Sequence, residues 1–252
     1  MLGPLEIRHH GEWVDIRPSK VRAVLALLLD SGGTAVMTAE LCARLWPCPP
    51  PSAKKVVQLY VCELRRRLCD RQGATLQTRA GGYRLLVEPG ELDADLFEAL
   101  VQKGRCDLES GAAEAAAETL REALGLWRGP ALADTRGIPA LDAAAARLDE
   151  SRLLAVELRM RAELECGRHD SVVPELVALV RTHPFRERLR LALMVALCRS
   201  GRRSDALATA RDLRRRLSDE LGLTPSAAFV RTEQAIIAGR AGTAPHRGSP
   251  RR

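Results

Sequence analysis

The chain has 252 residues, 46% of them hydrophobic and 28% charged, and a net charge of +7. At roughly 150 residues per domain this means one large or two small domains, with a composition that excludes a disordered chain. No apolar run approaches the roughly 18 residues needed to cross a bilayer, and the start MLGPLEIRHH has no apolar segment of a secretion signal. A cytoplasmic protein without membrane association is expected. Seven cysteines, odd in number and irregularly spaced, fit unpaired thiols in a reducing compartment.

The charge is uneven. Residues 1–90 carry 13 lysines and arginines against eight acids, residues 91–240 carry 23 against 24, and residues 241–252 add Arg247, Arg251 and Arg252. A basic first third beside a neutral remainder points to one part that meets a polyanion and one that does not. Only four of the basic residues are lysine. A GC-rich genome explains that bias, although arginine is also the better reader of phosphate and guanine.

In chain order, Leu2 to Ile7 and Trp13 to Ile16 read as short strands, with His9, His10 and Gly11 as their turn. Val21 to Asp30 has helical spacing, with Val21, Val24, Leu25 and Leu28 on one face, and Ser31, Gly32 and Gly33 stop it. Thr38 is an N-cap candidate for a helix through Trp46. Pro47, Pro49, Pro50 and Pro51 then form a rigid connector. Ser52 is expected to cap a longer helix reaching about Leu68, and Ala74 to Arg79 and Tyr83 to Val87 form a hairpin through Ala80-Gly81-Gly82. Hairpin, three helices, hairpin is the plan of a winged helix-turn-helix.

From Leu92 onward the pattern is helical: 93–110, 112–127, 139–166, 169–182, 185–200, 203–220 and 226–238, separated by glycine and proline breakers. Gly167-Arg168-His169-Asp170 resembles Gly201-Arg202-Arg203-Ser204 at a spacing of 34 residues, the period of a tetratricopeptide helix pair. Gly111-Ala112-Ala113-Glu114 reads as an earlier copy. The expected fold is an α+β winged helix followed by an all-α, tetratricopeptide-like domain. The segment after Gly239 is expected to be a disordered basic tail.

Between Ser52 and Arg84 stand eight basic residues against Glu63 and Asp70 alone. Val57, Val61, Leu64 and Leu68 share a stripe at i, i+4, i+7, i+11, expected to be buried. Lys54, Gln58, Cys62 and Arg65 are expected on the other side, as a basic and amide face suited to a major groove. A solvated charged helix is the plainer reading of such a run. The adjoining Gly-Gly hairpin with Arg79 at its tip favours the first, because a wing places a cation where a narrow minor groove concentrates negative potential.

VVQLYVCELRRRL followed by LQTRAGGYRLLVE resembles the recognition helix and wing of OmpR/PhoB-type winged-helix domains. LGPLEIR and PSKVRAVLALLL resemble the form found in Streptomyces antibiotic regulatory proteins. LREALGLWRGPALAD, RLDESRLLAVELRMRAELECGRH, THPFRERLRLALMVALCRSGRRSDAL and LSDELGLTPSAAFVRTEQAII resemble that family's bacterial transcriptional activation domain. The likeness covers about residues 2–238. It implies a winged helix over 1–90, an activation domain over 91–240 and the tail 241–252.

By resemblance, Trp46 packs near the DNA backbone, Lys55 contacts phosphate, and Gln58, Tyr60, Cys62, Glu63, Arg65 and Arg66 fall in the DNA-facing stretch. Arg79 matches the arginine that enters the minor groove, Tyr83 a wing-base aromatic, and Lys20 and Arg22 a basic pair on the first helix. The implied partners are double-stranded DNA bearing direct repeats, a second copy of the chain on that DNA, and RNA polymerase. Antibiotic or other secondary-metabolite genes are the implied targets. Three departures stand out. Position 63 is usually basic or an amide; Glu63 can accept from cytosine N4 or pair with Arg66 or Arg67 on its own helix. Cys62 replaces a serine. The N-terminus is a few residues shorter than the family pattern.

No G-x-x-x-x-G-K-[ST], H-E-x-x-H or C-x-x-C occurs, so neither an enzyme nor a metal or cofactor site is expected. A receiver domain before the winged helix finds no room in this chain. The rival reading is an interaction adaptor whose winged helix no longer binds DNA, which Glu63 and Cys62 favour.

Overall fold

The computed structural model describes residues 1–9, 12–14, 16, 19–70 and 72–240. The expected first turn at His10 and Gly11, the basic residue Arg71 and the tail 241–252 lie outside them. By packing the chain forms two compact units, one comprising residues 1–102 and 121–155 and the other 103–120 and 156 onward.

The first unit opens with a hairpin in which β1 (Ile7–His9) pairs antiparallel with β2 (Glu12–Val14), Ile7 opposite Val14. The first strand starts later than the sequence suggests and the second one residue earlier. Leu2, expected in the first strand, is instead held by side-chain and loop partners. Its N–H donates to Asp93 at 3.0 Å and its carbonyl accepts from Arg128 N–H at 2.8 Å. This seats the fully buried Leu2 beside the LWRGPAL segment.

Helix α1 (Ser19–Asp30) buries Val21, Val24, Leu25 and Leu28 as patterned, and Ala23, Ala26 and Leu27 besides. The short strand β3 (Val36–Met37) precedes α2 (Thr38–Leu45) and α3 (Ala53–Arg67). The wing is β4 (Leu76–Arg79) and β5 (Gly82–Leu85), and the sheet order is β3-β5-β4, all antiparallel. A two-residue strand shows no alternation, so β3 had no signature to read.

Two capping expectations need correction. The N-cap of α2 is Met37, and Thr38 is the first helical residue, because its N–H is drawn into a 2.9 Å bond to the wing carbonyl of Gly81. Ser52 does occupy the N-cap of α3, but its side chain makes no capping bond.

The remaining helices are α4 (Asp93–Glu109), α5 (Ala113–Gly125), α6 (Pro139–Glu165), α7 (His169–Thr182), α8 (Glu187–Arg199), α9 (Arg203–Leu221) and α10 (Ala227–Ile237). In the second unit α7 packs on α8, α8 on α9, and α10 on both α8 and α9. Starts of α7 and α9 are 34 residues apart, as the repeat predicted. Gly111, Gly167 and Gly201 all adopt left-handed φ values, and the residue after each donates to the carbonyl five residues earlier. That is the Schellman ending, so the three short sequence matches are three copies of one helix stop.

Candidate nucleic-acid interface

Helix α3 is fastened to α1 and α2 by its apolar stripe. Val57, Val61 and Leu64 are buried, together with Ala53, while Leu68 is half-buried beyond the helix end. The outer face presents Lys54, Lys55, Gln58, Leu59 and Cys62, all exposed, and Arg66, whose side chain is 68% accessible. Leu59 was missed by the sequence reading, yet it is 67% exposed. Its signal was its register: at about 100° per residue it lies two positions from both Val57 and Val61, hence roughly 160° off the buried stripe.

The first turn of α3 holds Lys54 and Lys55 and no acid. The partial positive charge of a helix N-terminus disfavours cations there and attracts anions. Two lysines at that end are a cost to the isolated helix and an asset to one that receives a phosphate.

Arg65 does not join the outer face. Its Nε and Nη2 donate to the Leu76 carbonyl at 3.0 and 2.7 Å, and Nη2 also to Thr78 Oγ1 at 2.8 Å. The side chain thus ties α3 to β4. Nearby, buried Asp70 accepts from the N–H groups of Ala74, Thr75 and Leu76 at 2.8, 3.1 and 2.6 Å, fixing the approach to the wing. Arg65 and Arg79, with Gln77 and Thr78, border an open polar hollow of about 490 Å³. Arg79 is exposed at the end of β4 and donates to Gln77 Oε1.

Glu63 pairs within its helix. Arg66 donates Nε and Nη2 to its two oxygens at 2.8 and 2.7 Å, and Arg67 donates Nε at 2.7 Å. These hydrogen bonds, Arg66 first and Arg67 second, lower the Glu63 carboxyl to about 2. Of the two roles weighed for Glu63, the geometry favours the intrahelical pair.

Trp46, half-buried at the C-cap of α2, stacks on Tyr60 at 6.4 Å with the rings 24° apart. Lys20 lies 5.7 Å from the Trp46 ring and donates to the Leu45 carbonyl at 2.9 Å, a favourable place for a cation at a helix C-terminus. Arg22 turns inward instead. Nη1 donates to the Ile16 carbonyl at 2.7 Å, and Nε is 3.0 Å from Asp134. Tyr83 is 8% exposed and paired in the sheet between Val36 and Thr78, a structural position. The structure therefore brings Lys54, Lys55, Gln58, Cys62 and Arg66 to one face of α3. It commits Arg22, Arg65 and Tyr83 to the protein and holds Glu63 between its helical neighbours.

Among the described residues no His/Cys/Asp/Glu cluster could hold a metal ion, and no helix is long and apolar enough to cross a membrane.

A three-helix core, an added sheet with a wing and a cationic outer helix define a winged helix-turn-helix protein, here followed by an activator-type helical domain. The chain belongs to the Streptomyces antibiotic regulatory protein family of transcriptional regulators. Residues 15–85 match the family described as transcriptional regulatory protein, C terminal, and residues 92–237 the bacterial transcriptional activator domain.

The chain is 40% identical over 246 residues to the regulatory protein DnrI of Streptomyces peucetius, covering 94% of this chain and 90% of that one. It is 37% identical to the transcriptional regulator RedD of Streptomyces coelicolor, covering 94% and 69%. It spans only 24% of the regulatory protein AfsR of Streptomyces griseus, at 37% identity over 94% of this chain. Among solved structures, Mycobacterium tuberculosis EmbR in complex with a low affinity phosphopeptide superposes with a TM-score of 0.90 at 34% identity, over 94% of this chain and 64% of that one.

Proposed function

We propose that the chain is a sequence-specific DNA-binding transcriptional activator acting in the cytoplasm on antibiotic or other secondary-metabolite genes. The observation that carries this reading is the outer face of α3. Two first-turn lysines, Gln58 and Arg66 stand free of the apolar stripe, and a wing fixed to the same helix by Arg65 carries the exposed Arg79. Helix α3 lies in the major groove, with Lys55 on phosphate and Gln58 on a base edge. Leu59 offers the apolar surface that suits a thymine methyl. Arg79 enters the adjacent minor groove. Lys20, Trp46 and Tyr60 sit together at the flank of α3, where a backbone phosphate would pass.

Two copies bind direct repeats head to tail, so their centres are spaced by roughly whole helical turns. The winged helix of residues 1–90 supplies the DNA contacts, and the helical domain of 91–240 recruits RNA polymerase. The names of DnrI and RedD as regulators support the reading. No step calls for a cofactor or for catalysis.

A gel shift on DNA upstream of the neighbouring genes tests it. If about six phosphates are neutralised, affinity falls on the order of 10³-fold between 50 and 200 mM salt. Lys55→Ala should weaken all sequences alike and lower the salt slope by about 1, whereas Arg79→Ala should cost about 1–3 kcal/mol and relax preference at the minor-groove positions. Pairing of Glu63 with Arg66 and Arg67 removes cationic charge from the end of α3, which favours the adaptor as a second reading. Folded protein that shifts no DNA at low salt would select the adaptor.

A further inference from the structure

The second unit contains a hollow of about 370 Å³ between α7, α8 and α9 that plays no part in the DNA surface. Its floor is Arg190 of α8, a guanidinium only 5% exposed. Arg190 Nη1 donates to Asp212 Oδ2 at 2.8 Å. The same Asp212 accepts from Arg216 Nε at 3.1 Å and from Arg215 Nη2 at 2.9 Å. One carboxylate thus answers three guanidiniums. Arg181 lines the hollow as a further cation, and Glu220, 3.5 Å from Arg216, offsets only part of the excess. Burial raises the Asp212 carboxyl, but hydrogen bonds from Arg190 and Arg216 more than reverse this, so it titrates below its ordinary value.

The cluster does more than hold helices together, because its excess of guanidinium over carboxylate borders an open hollow. Val177, Val180, Leu193 and Pro184 supply apolar walls, and Thr209 adds a further polar residue. A cationic floor and apolar walls, at a volume within the range of small-molecule sites, match one ligand chemistry.

We propose that this hollow binds a small organic anion, a carboxylate or phosphate monoester carried on an apolar body. The anionic oxygens take donors of Arg216 and Arg181, both of which line the hollow. The body lies against Val177, Val180 and Leu193. Asp212 keeps Arg190 and Arg216 in place for the ligand, so its own charge is part of the site.

Titration calorimetry on the full chain at constant ionic strength tests this with three probes: 2-naphthoate, phenyl phosphate and inorganic phosphate. At least one of the two organic anions is expected to bind saturably, one per chain, with a Kd of about 1 mM or tighter, equivalent to about 4 kcal/mol. Whichever binds more tightly identifies the carboxylate or the phosphate ester as the source. Inorganic phosphate, lacking a body, is expected to bind at least about tenfold more weakly. Arg216→Gln should weaken the better probe by about tenfold while circular dichroism stays unchanged. Arg181→Gln, at an exposed position, should weaken it by about threefold and carries the test if Arg216→Gln fails to fold. Each tenfold step corresponds to about 1.4 kcal/mol. No saturable binding of either organic anion up to about 10 mM would overturn the proposal. So would wild-type affinity in the folded variants, or inorganic phosphate binding as tightly as the organic probes. The readout involves no DNA, so it stands or falls apart from the proposed function.

Discussion

Replacing Arg65 by methionine separates a structural clamp from a reader of bases. Methionine keeps much of the aliphatic stem and deletes the three hydrogen bonds to the Leu76 carbonyl and the Thr78 hydroxyl. A hydrogen bond from a charged group is worth about 1.5–3 kcal/mol. Two of the three share one acceptor and the side chain is half exposed, so they do not add, and a loss of about 2 kcal/mol is expected. The three tryptophans, Trp13, Trp46 and Trp127, all fall in the first compact unit, so their fluorescence during urea unfolding reports on it. With a slope of about 2 kcal/mol per M, the midpoint should fall by about 1 M. In a sequence-selection assay the variant should keep the wild-type motif and bind every sequence more weakly, because the wing is loosened while the exposed side chains on the outer face of α3 stay in place. An unchanged midpoint together with a changed preferred base would refute the reasoning, since Arg65 would then leave the wing to read DNA.

Four further outcomes follow from the same geometry. Carbon-detected NMR should find the Glu63 carboxyl titrating near pH 2. Because its folded value lies below the ordinary 4.5, the pair contributes fully above about pH 4.5 and is lost as pH falls toward 2; a midpoint near 4.5 would mean the pair is absent in solution. Glu63→Gln should release Arg66 from its carboxylate partner, tightening binding to all sequences and steepening the salt slope by about 1, whereas a change of preferred base at one position would restore the base-reading role. Gly82→Ala should cost at least about 2 kcal/mol in the same urea assay, since a Cβ there would lie 2.2 Å from the Val36 carbonyl oxygen, a backbone atom that cannot step aside; a stability change under about 0.5 kcal/mol would show that β3 is not held against the wing. Asp70→Ala strips three N–H groups at the wing base of their acceptor and should lose about 2–4 kcal/mol, with wild-type stability arguing that water replaces the carboxylate.

Much of the fold was legible because its signals are periodic. The stripe of Val57, Val61 and Leu64 placed α3, and helix boundaries from residue 93 onward fell within two residues of the expected ones. The 34-residue spacing was weak as sequence and clear as structure, because the repeated element is a glycine-ended helix turn rather than a run of side chains. Strand β3 was invisible because two residues carry no period.

The interface was less legible than the fold. A helical wheel assigns Arg65 to a side of α3 but says nothing of where its long, flexible side chain ends. The open acceptors of β4, brought alongside by the wing turn, decide that. Arg22 is diverted for a similar reason, by Asp134, which lies more than 100 residues away in sequence. Leu59 escaped notice because an apolar residue is ordinarily assigned to a core, and only its register, opposite Val57 and Val61, marks it as outward-facing.

The central claim is that α3 and the wing dock on DNA as a unit, in tandem copies. Hydroxyl-radical footprinting of the full chain on DNA upstream of its neighbouring genes, at low salt, tests it most directly. The account predicts two protected patches of the same orientation, their centres roughly a whole number of helical turns apart, with both patches needing more protein for the same protection in Lys55→Ala and protection lost from the minor-groove flank alone in Arg79→Ala. Folded protein that protects no DNA, or protects it equally well in both variants, would contradict the account.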